Sequence, residues 1–519
     1  MELERRYVTL NHKKGNAASQ VTLEEDLNVP DQKADIFRVL HKRGEFRLDE
    51  IKGETGKVKI RGTFLYWILY MGEGQERMPE ILEGSIPVDE IVFLNDLEEG
   101  DVLDFHWSME DLHASAIHSR KANVKCVLTL SVEAVQEQPV PLMNSHSEET
   151  DLYVRTCPVR LQQEVIHKKD TLRIKEEMNL PPGRPNMRRI LWREMCLQGT
   201  EVRQEEGRFL VKGELLVFFL YECEDEPGRL QWLEQGIPFH QEVECDGCRS
   251  DLTGKAEVTL LRGELELQAD YDGEPRMVRI DVVLELLFRY FEEVTSEVLC
   301  DAYSLTREIR PRRQQYQWDW VRGISDSRAR VNGRMKLGDT DPKVLQILNS
   351  GAQVHLDHTE RNGQGVVAQG TVDLWVLYAA SDDSQPLACA VHSFPFEHTV
   401  EQEDTEKCEW RSFLCLDQLT VTMLDAQELE MKAVLQMQTM FEEPVALELV
   451  EDLEEEPLDM DRIRRMPGMV IHIVQPGETL WDISKAHATT CEAVMELNEL
   501  KEENLKTGQK LLMVKEIAR

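Results

Sequence analysis

The chain has 519 residues, 41% hydrophobic and 30% charged, with a formal net charge of −37. This balance describes folded protein that buries its own cores, and the acidity excludes the basic stripe that nucleic acid requires, so no nucleic-acid partner is expected. No run reaches the roughly 18 apolar residues of a spanning helix, and the N-terminus "MELERRYVTLNHKKGN" has no apolar core or small-residue cleavage site, so neither membrane insertion nor a secretory signal is expected.

In chain order, "DQKADIFRVL" (31–40) reads as a short helix-prone opening. "GTFLYWILY" (62–70) follows, with Phe64, Tyr66, Ile68 and Tyr70 on one alternating face and Trp67 on the other. Period-two patterning rich in aromatic and β-branched residues is strand chemistry. A strand apolar on both faces belongs inside a sandwich or under a neighbouring domain. "IPVDEIV" (86–92) then places a proline where a new strand is expected to start after a turn-rich segment. "VKCVLTLSV" (124–132) is a second clean alternation, carried by Cys126, Leu128 and Leu130.

The same blocks return twice. "PNMRRILWREM" (185–195) and "DPKVLQIL" (341–348) repeat the helix-prone opening. "GELLVFFLY" (213–221) and "GTVDLWVLY" (370–378) repeat the first strand, each from Gly to Tyr, with Phe218 and Trp375 in the place of Trp67. "IPFHQEV" (237–243) and "FPFEHTV" (394–400) repeat the proline block, always 25 residues after the glycine. "IDVVLELLF" (280–288) and "MKAVLQMQT" (431–439) close the copies. Constant spacing of ordered blocks marks a threefold internal repeat. Three β-rich, sandwich-like domains are expected at 1–148, 149–296 and 297–445, each large enough for its own core.

Between these landmarks lie features open to two readings. "CDGC" has the spacing of a metal or redox pair at Cys245 and Cys248, but no second pair accompanies it, and Asp-Gly is common hairpin chemistry. Eleven scattered cysteines fit reduced, mostly buried thiols. "REIRPRRQQYQWDWVR" (307–322) mixes Arg307, Arg310, Arg312, Arg313 and Arg322 with Tyr316, Trp318 and Trp320. It reads as a linker edge with aromatics packed on a neighbouring domain, or as a docking patch for an acidic partner or another copy of the chain. His106, His113 and His118, and His355 with His358, lack ligand partners at recognisable spacing. No P-loop, GxSxG, HExxH or GxGxxG stands in a suitable context, so no enzyme, cofactor or metal is expected.

Residues 446–468 are acidic and turn-rich, and read as a linker. A compact unit at 469–515 follows, reading strand, helix, helix, strand. Thr479 with Asp482 forms a capping-box pattern, and Leu480, Ile483 and Ala486 share one stripe. Thr489 with Glu492 repeats the box for a second helix, whose Val494 and Leu497 face inward and whose stop is Asn498.

The triplicated pattern resembles the SPOCS domain (DUF3794) of endospore-forming Firmicutes over most of residues 20–445. With "VQPGETLWDIS" and "TGQKLLM", the C-terminal unit resembles a LysM domain over 470–514, His472 standing where that family often has tyrosine. The resemblance implies a groove for N-acetylglucosamine chains lined by Gly477, Glu478, Thr479, Leu480, Asn504, Leu505, Lys506 and Thr507. Trp481, beside the helix start, is expected to be exposed and is the leading single contact. The joint architecture resembles the SipL-like family of spore coat assembly proteins. It implies a non-enzymatic scaffold in the mother-cell cytoplasm at the forespore surface, whose LysM domain holds the basement-layer coat ATPase (SpoIVA) while other domains meet other coat proteins. The alternative is a peptidoglycan-binding protein acting through the LysM groove.

Overall fold

Alternating side chains resolve each repeat into six antiparallel strands. The first repeat has β1 (Glu4–Asn28), β2 (Ile36–Glu54), β3 (Lys57–Gly72), β4 (Pro79–Phe93), β5 (Val102–His118) and β6 (Lys121–Ser145). The second has β7 (Leu152–Asn179), β8 (Met187–Glu205), β9 (Arg208–Cys223), β10 (Leu230–Glu244), β11 (Thr253–Gln268) and β12 (Met277–Ser304). The third has β13 (Arg307–Lys336), β14 (Val344–Asn362), β15 (Gly365–Ala380), β16 (Leu387–Glu401), β17 (Glu409–Met423) and β18 (Glu428–Pro457). This computed structural model describes residues 4–516 except 75–76, 146–150, 227, 364, 383 and 403–405.

Every repeat folds into two three-stranded sheets, ordered β1-β6-β5 and β2-β3-β4 in the first and likewise in the other two. The sheets face each other as a sandwich. Phe64, Tyr66, Ile68 and Tyr70 of β3 share a core with Cys126, Leu128 and Leu130 of β6. The second repeat sets Leu215, Val217, Phe219 and Tyr221 in one core with Val282, Leu284 and Leu286, and the third sets Val372, Leu374, Val376 and Tyr378 with Ala433 and Leu435. The closing tyrosine of each block bonds a carbonyl just before the second strand: Tyr70 to Ala34 (2.9 Å), Tyr221 to Pro185 (3.4 Å) and Tyr378 to Pro342 (3.1 Å).

The opposite face of these central strands explains their double-sided greasiness. Trp67, Phe218 and Trp375 converge on one shared cluster with Leu69, Leu220 and Leu377 and with Leu40, Leu191 and Leu348. Equivalent residues of three repeats meet there, so the repeats surround a pseudo-threefold centre. Each large side chain buried in it contributes about 1.5–3 kcal/mol. A second shared cluster forms where the ribbons β1/β6, β7/β12 and β13/β18 run together: Val8, Val140, Leu161 and Val298 pack with Tyr316, Trp318 and Trp320. The three sandwiches are thus one body with individual and common cores.

Several sequence expectations are corrected. The helix-prone openings are strand. Ile36, Val39 and Leu40, with their counterparts Met187, Ile190, Leu191 and Val344, Ile347, Leu348, have helical i, i+3, i+4 spacing. Register shifts between Ile36 and Arg38 and between Val39 and His41 recur in β8 and β14 and add a residue to the period of two. The proline blocks lie inside β4, β10 and β16 rather than at their starts, which is tolerated because these are edge strands. The constant spacing of 25 is hairpin register, since Pro87, Pro238 and Pro395 each pair with the residue after the glycine. A Cβ on Gly62 would sit 2.4 Å from the Phe46 ring, and one on Gly213 would sit 2.6 Å from the Phe239 ring.

The stretch read as a linker continues as β18 to Pro457, paired with β13. The acids of β18 meet the basic stretch across the ladder: Arg307–Glu455 (2.8 Å), Arg310–Glu456 (3.0 Å), Arg312–Glu451 (3.3 Å) and Arg322–Glu443 (2.6 Å). The acidic partner of that patch lies in the same chain, and its aromatics are packed against neighbouring domains. Cys157 and Cys300 form a disulfide between β7 and β12, where all thiols were expected to be reduced. A sequence separation of 143 residues hides such a pair. Cys245 and Cys248 close a turn in which the Cys248 N–H donates to the Cys245 carbonyl (3.1 Å). Leu94 and Leu97 make the same turn in the first repeat, so the two cysteines act as small apolar side chains there.

After α1 (Met460–Arg465), the last unit folds as β19 (Met469–Ile473), α2 (Leu480–Ala486), α3 (Cys491–Leu497) and β20 (Lys510–Val514). The capping box of Thr479 and Asp482 is formed. The second helix is capped by Thr490, not Thr489, and Leu497 is exposed. Thr489 is buried instead, because it forms part of the contact described next.

Candidate functional site

The βααβ unit presents two faces. On one, Gly477 turns the chain after β19 with φ +87°. The Val474 carbonyl accepts from Gly508 N–H (2.9 Å), joining the two loops that flank the expected groove. Gly477, Asn504, Lys506 and Thr507 are exposed there, and Glu478, Thr479 and Leu505 half-buried. Leu480 is in the core and offers only backbone. The Glu478 carboxylate is engaged: it accepts from Gln475 N–H (2.7 Å) and lies 2.8 Å from His472 Nε2. The Gln475 amide and then His472 hold its pKa below the ordinary carboxylate value. His487 Nε2 completes a chain at 3.2 Å from His472 Nδ1. His472 therefore positions the Glu478 carboxylate.

The other face docks on the second repeat. The Trp481 indole N–H donates to Asp301 Oδ2 (2.7 Å), and Lys485 Nζ bonds both Asp301 oxygens (2.7 and 2.9 Å). The Tyr303 hydroxyl donates to the Thr489 carbonyl (3.1 Å). Its ring stands edge-on to Trp481 (4.8 Å) and stacks on Tyr153 (5.1 Å). Burial alone would raise the Asp301 pKa, but Lys485 and Trp481 bring it below the ordinary value. Trp481, expected to be exposed, is half-buried and turned toward its own chain. No local pattern signals this, because Asp301 and Trp481 are 180 residues apart. A cavity of about 310 Å³ lies beside the contact, with Ile309, Leu458, Ile463 and Met466 in its wall.

The interfaces between repeats also hold buried carboxylates in ion pairs. Arg289 joins Glu164 (2.9 Å) to Asp104 (3.0 Å), Arg411 meets Glu133 (2.6 Å), and Arg189 bridges Glu80 and Glu222 (both 2.7 Å). At the centre, His41 lies 4.2 Å from the Trp375 ring and 5.2 Å from that of Trp192. Burial, then Lys42 and Arg43, pushes its pKa down to about 3, so it packs as a neutral ring. Among the described residues, no group of three or more His, Cys, Asp or Glu side chains is arranged to hold a metal ion, and no helix is long and apolar enough to cross a membrane.

The class defined by this arrangement is a multidomain β-sandwich protein with a small βααβ unit at its end. Family comparison gives the particulars. Residues 35–117, 186–271 and 343–424 match the SipL, SPOCS domain, and residues 472–513 match the LysM domain. The chain is therefore of SipL-like architecture, with three SPOCS domains and a C-terminal LysM domain, and belongs among sporulation-related proteins. Each SPOCS match spans the second to fifth strands of a repeat, such as β2–β5, and leaves out the first and last. Both domain types are non-catalytic binding modules. No curated protein and no solved structure matches the chain.

Proposed function

We propose that the protein is a non-enzymatic scaffold for endospore coat and cortex assembly, acting in the mother-cell cytoplasm at the forespore surface. Its LysM domain binds the basement-layer coat ATPase (SpoIVA), and the SPOCS body receives other coat proteins. The observation that carries this reading is the mounting of a single LysM domain on the SPOCS body, through Trp481 and Lys485 on Asp301 and through Thr489 on Tyr303. A scaffold gains from fixed geometry, because less orientational freedom is lost when partners bind. Glycan binding through one shallow groove is weak and is usually strengthened by several copies.

The groove keeps a second reading in play, since Gly477, Asn504, Lys506 and Thr507 are open to solvent and can hydrogen-bond acetamido groups. Sedimentation of the full chain with purified peptidoglycan, beside capture on the immobilised ATPase, separates the two. Saturable ATPase capture with no glycan retention supports the scaffold; glycan retention with no ATPase capture overturns it.

A further inference from the structure

The two-stranded sheet of the LysM domain has one closed edge and one open edge. Asn498 closes β20: its Oδ1 accepts from Leu512 N–H (2.6 Å) and its Nδ2 donates to the Leu512 carbonyl (2.8 Å). Ile471 pairs with Leu512. Because the polar backbone groups of Leu512 face Asn498, those of Ile471 point the opposite way, out of the sheet. Among the described residues no side chain does for β19 what Asn498 does for β20; only the Ile473 carbonyl is occupied, by Gln475 Nε2 (2.9 Å). Open edges are normally blunted by charge, proline or a bulge. Here the outward side chains are Met469, Ile471 and Ile473, exposed at 63%, 64% and 49%. Leu512 and Val514 continue this apolar face on β20.

The charge around this edge is the reverse of the chain's. Neither 462–477 nor 504–515 contains an acidic residue, in a protein with 97 of them. Lys515 Nζ bonds the Ile463 and Met466 carbonyls (2.7 and 3.2 Å) and so fixes α1, with exposed Arg464 and Arg465, at the Met469 end. Lys510 stands at the other end, opposite Ile473.

We propose that the β19 edge receives an extended acidic segment of a partner protein, which joins the LysM sheet as a third strand. Its alternate apolar side chains cover Met469, Ile471 and Ile473, and its carboxylates meet Arg464, Arg465 and Lys510. Main-chain bonds supply affinity and the flanking charges supply register. A second copy of this chain is disfavoured as the occupant by the repulsion of two bodies each at −37. The proposal rests on the reading of the LysM domain as a protein-binding module, and it locates the contact away from the sugar groove.

The test uses the full chain with two probes: the purified coat ATPase, and a synthetic ten-residue peptide alternating valine and glutamate. Amide hydrogen exchange is read at residues 469–473. Protection of the Ile471 amide by the peptide, lost in high salt, is expected. Ile471→Pro removes the outward N–H without touching the β19–β20 ladder, and Ile471→Glu reverses the patch chemistry. Both are expected to weaken ATPase capture at least tenfold, while Tyr271→Ala, in an exposed turn of the second repeat, leaves it unchanged. Peptide protection with no ATPase binding in the parent protein refutes the functional reading and keeps the strand-addition site. ATPase capture indifferent to both Ile471 variants, with no peptide protection, overturns the site and keeps the reading. Protection that grows with protein concentration alone, or appears only on anionic vesicles, overturns the site in favour of self-association or a lipid surface.

Discussion

The pseudo-threefold centre and the LysM contact are both joints within one chain, built from opposite chemistry. The centre is an apolar cluster, mainly leucine and aromatic side chains, to which all three repeats contribute. The LysM contact is one carboxylate, Asp301, shared by an indole and an ammonium, beside a single tyrosine hydroxyl. Apolar area makes a joint that opens only when the body unfolds, whereas a few charge-assisted bonds fix the orientation of a module with a smaller free energy.

The largest effect is expected at the centre. Trp192 is 2% exposed between the repeats, and Trp192→Ala should cost about 3–5 kcal/mol in denaturant unfolding. The loss should appear in all three repeats together; confinement to the second would break the contrast with the LysM joint. Gly213→Val should act the same way, since its side chain would meet the Phe239 ring.

Acid comes next. The folded pKa of His41, about 3, lies below its ordinary 6.5, so its contribution is whole above 6.5 and is withdrawn as pH falls toward 3. Melting temperature should therefore drop on acidification more steeply in the parent than in His41→Phe. Equal slopes would remove His41 from the account. The lowered pKa of Asp301 has a different window: its contribution is present above the ordinary carboxylate value and lost only as pH falls through the depressed one. LysM docking should thus be constant across the neutral range.

A smaller effect is expected from Asp301→Ala, about 1–3 kcal/mol on docking and little on the body. Small-angle scattering should show a freer LysM domain with unchanged unfolding of the SPOCS body. Tyr303→Phe, which loses one hydrogen bond to Thr489, should cost about 1 kcal/mol or less of the same docking energy.

The strands carrying block patterns were legible in the sequence because alternation is local: Phe64 to Tyr70 and Cys126 to Leu130 face the core as their spacing says. Leu480, Ile483 and Val494 of the LysM core and its first cap were legible from local spacing too, whereas Ala486 and Leu497, read on the same inward stripes, are exposed. Bulges defeated the reading at Ile36, Met187 and Val344, since an inserted residue turns a period of two into helical spacing. Distance in sequence hid the rest. Nothing near Arg307 announces Glu455, nothing near Cys157 announces Cys300, and nothing near Trp481 announces Asp301. The second apolar face of β3, β9 and β15 was visible, yet its three-way meeting required the fold. In the candidate groove the loops were legible, but the capture of Glu478 by His472 was not.

Native-state hydrogen exchange on the full chain tests the joining of three repeats most directly. Slowest-exchanging amides of β3, β9 and β15 should open together, with one common free energy and one denaturant slope, while α2 and α3 of the LysM domain open earlier. Three different opening energies, one for each central strand, would contradict a shared core.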